Sequence, residues 1–176
     1  MIRLAATDAP LPSSLREARG GFAWWYLDLV NPQGDGVVVI FAFGLPFLPG
    51  YADADRRGAP ERAGDRPSVN VVVYRSGRPS FYLLQEAESA DWAGERERVV
   101  IGGCVFDTRR ESERRVCEIT LDAPIPGTSE RLVGQIRAEG PAVRVTPAGE
   151  ADFPHQWSPL LMAAEGRARL AVGARE

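Results

Sequence analysis

Glycine and proline interrupt this chain at short intervals, and that feature limits its fold more than any other. The 176 residues include 18 glycines and 14 prolines, and nowhere do apolar residues recur at helical spacing for three turns. Both residues destabilise helix interiors, because proline lacks an amide hydrogen and glycine loses the most backbone entropy on folding. The sequence therefore predicts an all-β fold of short antiparallel strands, arranged as a meander or a barrel.

Runs of β-branched and aromatic residues alternate with turn signals, which predicts seven or eight strands. Residues 37–43, apolar on both faces, are expected to form the central strand. Residues 75–80 are expected to form a hairpin loop, whereas residues 49–67 lack apolar periodicity and are predicted to be a long, mobile and poorly packed loop. The predicted strands are residues 22–30, 37–43, 69–74, 81–86, 99–107, 115–122, 131–138 and 167–172.

Length and charge exclude several classes of function. A chain of this length with 44% hydrophobic residues suits one domain. Its 21 basic and 24 acidic residues are scattered and give a net charge of −3, so no polybasic surface for nucleic acid is expected. We see no secretory signal and no apolar run of the about 20 residues that a membrane-spanning helix needs. These features predict a cytoplasmic protein.

Motifs for bound cofactors and metals are missing from the sequence. It contains no glycine-rich phosphate loop between a strand and a helix, no Gly-x-Ser-x-Gly and no Cys-x-x-Cys. Cys104 and Cys117 lie on neighbouring predicted strands without metal-ligand spacing around them. We therefore predict no cofactor and no metal, and we expect both cysteines to be inert, buried thiols.

The first predicted strand has large rings on both of its faces. Alternation places Trp24, Tyr26 and Asp28 on one face and Trp25 and Leu27 on the other. One face is expected to line the interior, either as core filling or as the wall of a ligand cavity. Asp28 precedes a turn signal, so it is either a hydrogen-bonding residue at the strand end or, in a dry pocket, an acid.

The chain has one histidine, His155, which lies two residues before Trp157 in a segment bounded by prolines. In an extended conformation the two side chains would share a face. Histidine is a frequent acid or base in catalysis, but a single histidine also serves as an ordinary structural residue.

Taken in order, several segments resemble the carotenoid 1,2-hydratase (hydroxyneurosporene synthase) family of lipocalin-like proteins. The resemblance extends from Gly21 to about Val172. It implies a lipocalin-like antiparallel barrel or strongly curved sheet, incomplete at the C-terminus, with an arm at residues 1–20 and a single β domain at 21–176. The segments that carry it are residues 21–28 (GFAWWYLD), 39–47 (VIFAFGLPF), 69–74 (VNVVVY), 101–104 (IGGC), 119–122 (ITLD) and 155–159 (HQWSP).

The resemblance implies an enzyme that adds water to the terminal double bond of an acyclic carotenoid or isoprenoid. Catalytic roles carry over to His155 and Trp157, with Asp28 as the candidate acid. The family's Tyr-x-Asp segment falls beyond the last strand, so a second polypeptide supplying the C-terminal half is an expected partner, with peripheral membrane contact to reach the substrate. The expected wall of the apolar ligand site is Trp24, Tyr26, Phe41, Phe43 and Tyr74.

Two other functions are compatible with the same residues. A lipocalin-like protein can bind an apolar ligand without chemistry, because fold and function are separable. A cyclase can fold a polyene or polyketide through the shape of its pocket alone. Hydration differs from both of these functions because it needs an acid: protonating an alkene requires a neutral acid in a water-poor pocket.

Overall fold

The computed structural model describes residues 3–4, 13–93, 97–143, 156–157 and 159–174. Twelve strands, one short α-helix and two 3-10 helices occur in this part of the chain. The strands are β1 (Arg3–Leu4), β2 (Ala23–Val30), β3 (Gly36–Phe43), β4 (Pro67–Arg75), β5 (Arg78–Glu86), β6 (Ala90–Ala93), β7 (Arg98–Ile101), β8 (Cys104–Glu111), β9 (Arg114–Pro124), β10 (Glu130–Pro141), β11 (Gln156–Trp157) and β12 (Glu165–Ala174); the helices are α1 (Tyr51–Arg56) and the 3-10 helices Ser13–Glu17 and Ala63–Asp65.

Ten of these strands form two antiparallel sheets. One sheet has four strands in the order β2-β3-β4-β5, and the other has six in the order β12-β10-β9-β8-β7-β6. The short strands β1 and β11 pair with each other in parallel. No hydrogen-bonded ladder joins the two sheets in the described ranges, so the all-β prediction is confirmed as curved sheets and not as a closed barrel.

Tight turns explain why the four-stranded sheet forms. The Asn31 side-chain oxygen accepts hydrogen bonds from the amides of Gln33 and Asp35, at 3.0 and 2.9 Å, and so closes the β2–β3 turn. The β4–β5 turn needs only two residues, Ser76 and Gly77, both with positive φ, the conformation that suits a two-residue hairpin. The predicted hairpin is confirmed, with a shorter loop than residues 75–80.

The core lies between the two sheets and is rich in aromatic rings. Phe41 of β3 meets Phe106 of β8 edge-on, with ring centroids 5.5 Å apart. Phe43 stacks on Trp92 of β6 at 5.5 Å, and Trp25 meets Trp92 edge-on at 4.9 Å. Ring pairs at these distances and angles stabilise a core beyond the gain from burial alone, so these contacts hold the sheets face to face.

Two strand predictions need correction. Residues 99–107 are not one strand but the hairpin β7–β8, because Gly102 and Gly103 form its turn and Gly102 has a φ of 56°. A Gly-Gly pair in an apolar run can mark either a bulge within one strand or a turn between two strands. The apolar pattern of the sequence does not distinguish these two possibilities. Strand β6 was not predicted at all, since its four residues are too few to show alternation.

The prediction for residues 49–67 is wrong in its claim of poor packing. This stretch contains α1 and the second 3-10 helix, and its Tyr51, Ala54 and Ala63 are buried. Tyr51 packs with the preceding Leu45 and Leu48 on the outer surface of the four-stranded sheet. The Tyr51 hydroxyl donates a hydrogen bond of 2.6 Å to the Gly21 carbonyl. Three apolar anchors are enough to dock a segment, but they are too widely spaced to show periodicity.

Arg66 ties the same stretch to the sheet. Its guanidinium donates to Glu86 of β5 at 2.6 Å, to Glu61 at 2.7 Å and to the Pro49 carbonyl at 3.1 Å. It also lies 5.8 Å above the Tyr51 ring. Charged hydrogen bonds of this kind are among the stronger ones in proteins, so the two ends of the stretch are held together over the sheet.

Among the described residues, none of the helices has both the length and the apolar character that crossing a membrane would require.

Candidate functional site

Strand β2 presents its two ring-bearing faces to different surroundings. Trp25 is 8% exposed and points between the sheets, whereas Trp24 and Tyr26 are 38% and 43% exposed. The interior is therefore lined by the Trp25 face, and the predicted ligand contacts Trp24 and Tyr26 lie on the opposite, outer face of the strand. Sequence alternation separates the two faces but cannot say which one is inside when both carry large rings.

Trp24 and Tyr26 belong to a larger surface, which we call the outer aromatic face. It lies on the side of the four-stranded sheet opposite the core, next to the patch that Leu45, Leu48 and Tyr51 cover. The register aligns Tyr26 with Ile40 and aligns Asp28 with Val38 and then Val72, so aliphatic side chains fill the space between the rings. The members of the face are Trp24, Tyr26, Val38, Ile40, Val72, Tyr74 and Tyr82, all half-buried or exposed. Continuous apolar surfaces of this kind mark interaction or ligand sites.

Three predicted site residues come together on this face: Tyr26, Asp28 and Tyr74. The pKa of Tyr26 is raised, first by its partial burial, then by the charge of Asp28 and a hydrogen bond with that carboxylate, and last by Tyr74. The Tyr26 hydroxyl therefore stays protonated at neutral pH and is the donor in its hydrogen bond with the Asp28 carboxylate. Asp28 itself is exposed, which is not the water-poor setting that an alkene-protonating acid needs.

The Tyr26–Asp28 pair also has the Tyr-x-Asp spacing. Sequence reasoning expected that spacing only beyond the last strand and overlooked it in β2. The two residues share a face because side chains two apart in a strand point the same way, and the signal that could have revealed them is the strand alternation itself.

Phe41 and Phe43, the other predicted ligand contacts, lie elsewhere. Both are fully buried between the sheets, where their rings contact Phe106 and Trp92. The structure thus separates the five predicted wall residues into two groups, three on the outer aromatic face and two in the core. Their role as ligand contacts stays a prediction.

A cavity of about 460 Å³ lies near Phe43, at the end of the core, and sequence reasoning did not identify it. Arg16 lies in its wall and holds its guanidinium 5.5 Å above the Phe43 ring. This stacking covers the edge of the aromatic core, as cation–π contacts do. The remaining lining residues are Gly64, Asp65, Pro67, Ala87, Glu88, Ser89 and Ala90.

The His155 and Trp157 pair cannot be placed in this geometry. His155 lies outside the described residues, and of Trp157 only the backbone is described, in β11 beside Leu4 of β1. Their catalytic roles therefore stay predictions.

The two cysteines are buried and not joined to each other. Burial raises the pKa of the Cys117 thiol to about 12, and the charges of Asp107 and Glu118 add to that effect. Burial also raises the pKa of Cys104. Because the thiolate is the reactive form, both side chains are poor nucleophiles at neutral pH. No group of three or more histidine, cysteine or acidic residues suited to a metal occurs in the described part of the chain.

One curated relative resembles part of the chain. A segment of 77 residues, 43% of this chain, is 43% identical to the acyclic carotenoid 1,2-hydratase of Thiocapsa roseopersicina. The match spans 19% of that protein, so the chain corresponds to about a fifth of its length. No family model matches the chain, and no solved structure matches it. The resemblance drawn from the motifs is therefore supported over part of the chain.

Proposed function

We propose that this chain is a carotenoid 1,2-hydratase-like protein that binds an acyclic carotenoid or isoprenoid and takes part in adding water to its terminal double bond. The observation that carries the proposal is the 43% identity to an acyclic carotenoid 1,2-hydratase over 77 residues. The outer aromatic face supports it, because a long apolar chain can lie along a strip of rings and aliphatic side chains.

The chemistry sets demands on the site. Protonation of one alkene carbon breaks the π bond and leaves a tertiary cation on the other carbon. A water oxygen then bonds to that cation and gives up a proton to a base. Aromatic faces such as that of Trp24 stabilise the cation, and we assign the orientation of water or acid to His155, next to Trp157.

The proton donor is the part of the site that this chain supplies least well. Asp28 is exposed and accepts a hydrogen bond from Tyr26, and a carboxylic acid is an effective donor only where burial keeps it neutral. We propose that a second polypeptide provides or covers the acid, and that contact with a membrane surface gives access to the substrate.

A non-catalytic binding function is the second candidate. The exposure of Asp28 favours it, because an apolar ligand can bind along the outer aromatic face without any acid. The two candidates share the binding surface and differ only in turnover.

The double variant Trp24→Ala/Tyr26→Ala should weaken binding of an acyclic carotenoid by at least about tenfold, since it removes two large rings from the contact surface. Binding is measured by quenching of tryptophan fluorescence as the carotenoid is titrated in detergent micelles. Val133→Ala, which shortens an exposed apolar side chain on the six-stranded sheet, is the matched control and should bind normally. Equal affinity of the double variant and the control would exclude the outer aromatic face as the binding surface.

The purified chain alone should bind the carotenoid but form 1-hydroxy product only at background level. Addition of a polypeptide that carries the C-terminal Tyr-x-Asp segment of the family should give turnover, and His155→Ala should then abolish it while Gln156→Ala does not. Product is measured by chromatography and mass spectrometry. Formation of product by the chain alone would refute the dependence on a partner. Unchanged turnover with His155→Ala would show that His155 has no part in the mechanism. Binding without turnover in every mixture would favour the non-catalytic binding function.

A further inference from the structure

Strand β12 is a long sheet edge. It pairs with β10 over ten residues, from Glu165 to Ala174, without a register shift. Within the described ranges, no strand pairs with its other side. An edge strand of this length presents alternate amides and carbonyls that lack backbone partners, and such edges accept additional strands.

The inward side of β12 is apolar and only partly covered. Its residues Ala168, Leu170 and Val172 lie opposite Ile136, Gly134 and Leu132 of β10, so they continue the core face of the six-stranded sheet. From this pairing, the even-numbered residues of β12 point inward and the odd-numbered residues point outward. Val172 is nevertheless 47% exposed, because the four-stranded sheet does not extend over it.

The two sheets approach each other at only one end of β12. A Cβ atom added to Gly166 would lie 2.4 Å from the Cδ2 atom of Leu29 in β2, so a larger residue here would have to displace the Leu29 side chain. Farther along β12, the side chain of Val172 is open to solvent. The inward side of β12 therefore contacts Leu29 near Gly166 and is open at Ala168 and Val172.

The outward side of β12 carries Glu165 at its start and then two arginines, Arg167 and Arg169. Arg167 and Arg169 are exposed and make no ion pair with any described carboxylate. Arg167 also lies directly opposite Arg137 of β10, and like charges in that position repel. Arg137 is already paired with Glu118 and Glu139, so the uncompensated positive charge lies at the edge itself.

Charged residues on an edge strand can also serve to prevent pairing. That explanation fits β12 poorly for two reasons. Its arginines point outward, away from the apolar side, whereas a charge that blocks pairing most effectively points inward. The strand also contains no proline and no bulge over its ten paired residues, and these are the other common devices that protect an edge.

We propose that the free edge of β12 binds an extended acidic segment of a partner protein, which adds to the six-stranded sheet as a further strand. The segment alternates carboxylates, which pair with Arg167 and Arg169, with apolar side chains that cover Ala168, Leu170 and Val172. Backbone hydrogen bonds supply affinity in such strand addition and the alternate side chains supply specificity. This inference rests on the geometry of β12 and is independent of the proposed hydratase function.

The test uses two fluorescein-labelled peptides that differ only in charge. The acidic peptide is Thr-Val-Glu-Val-Glu-Val-Thr, and the basic peptide has lysine in place of both glutamates. The acidic peptide should bind at least about tenfold more tightly, as measured by fluorescence anisotropy, and its affinity should fall as salt is added. Arg167→Glu/Arg169→Glu should reverse the preference, whereas Arg56→Glu/Arg57→Glu, the same charge change at the C-terminal end of α1, should not.

Hydrogen exchange distinguishes strand addition from simple charge attraction. If the peptide adds as a strand, alternate amides of β12 should become protected, because only every second N–H of an edge strand points away from its sheet. Three results would overturn the proposal: equal binding of both peptides, binding without protection of β12, or a chain whose β12 amides are protected before peptide is added because it forms dimers through this edge.

Discussion

Replacement of Trp25 by alanine should lower the free energy of unfolding by about 3–5 kcal/mol, the range observed for loss of a buried large aromatic side chain. The indole contacts Trp92 at 4.9 Å and Phe43 at 6.1 Å, both edge-on, so the substitution removes two ring contacts and leaves a cavity between the sheets. Urea unfolding followed by circular dichroism measures the loss.

Trp24→Ala is the matched control for this prediction. The two tryptophans are adjacent in sequence and in the same strand, but Trp24 is on the outer aromatic face, where its main ring contact is Phe22 at 5.1 Å. Its removal should cost no more than about 1.5 kcal/mol, since its side chain is already partly in water. Equal losses for the two variants would show that the assignment of inside and outside is wrong.

The contrast between these tryptophans also shows how far sequence reasoning reaches in this chain. Alternation along residues 22–30 predicts a strand and sorts Trp24, Tyr26 and Asp28 from Trp25 and Leu27, and both results agree with β2. Which face is inside depends on the rings from distant strands that each face contacts. The Trp25 face is inside because Trp25 packs on Trp92, and Trp92 lies on a four-residue strand that has no detectable sequence pattern.

The same limit applies to the candidate site. The sequence shows which aromatic residues belong to the outer aromatic face. It does not show that Tyr74, from another strand, lies close to Tyr26 and Asp28. That proximity follows from the β3–β4 register, in which Tyr74 aligns with Gly36, and register is fixed by the turns and by the buried face together. Arg16 was missed because a single arginine has no sequence signal for stacking on a buried ring.

The sequence also does not predict that a charged group lies inside the fold. Arg115 alternates in phase with the inward-facing Cys117 and Ile119 of β9, so its guanidinium enters the space between the sheets, where its side chain is only 4% exposed. There it donates hydrogen bonds to Glu97, whose side chain is 15% exposed, and to the Thr108 hydroxyl at 3.3 Å. The runs of mixed charge around Glu97 and Arg115 resemble solvated loops in sequence, which hides this pair.

Arg115→Leu should destabilise the chain by about 3–5 kcal/mol, because it leaves the Glu97 carboxylate largely buried without its counter-charge. The double variant Arg115→Leu/Glu97→Leu should recover most of that loss, since removing both charges also removes the cost of desolvating them. Arg137→Leu is the matched control: it breaks an exposed Arg–Glu pair on the same sheet and should cost no more than about 1 kcal/mol. Urea unfolding of the wild type, Arg115→Leu, Glu97→Leu and the double variant gives the coupling energy of the buried pair. A loss for Arg115→Leu no larger than that for Arg137→Leu, or a double variant as unstable as the single one, would contradict a buried ion pair at this position.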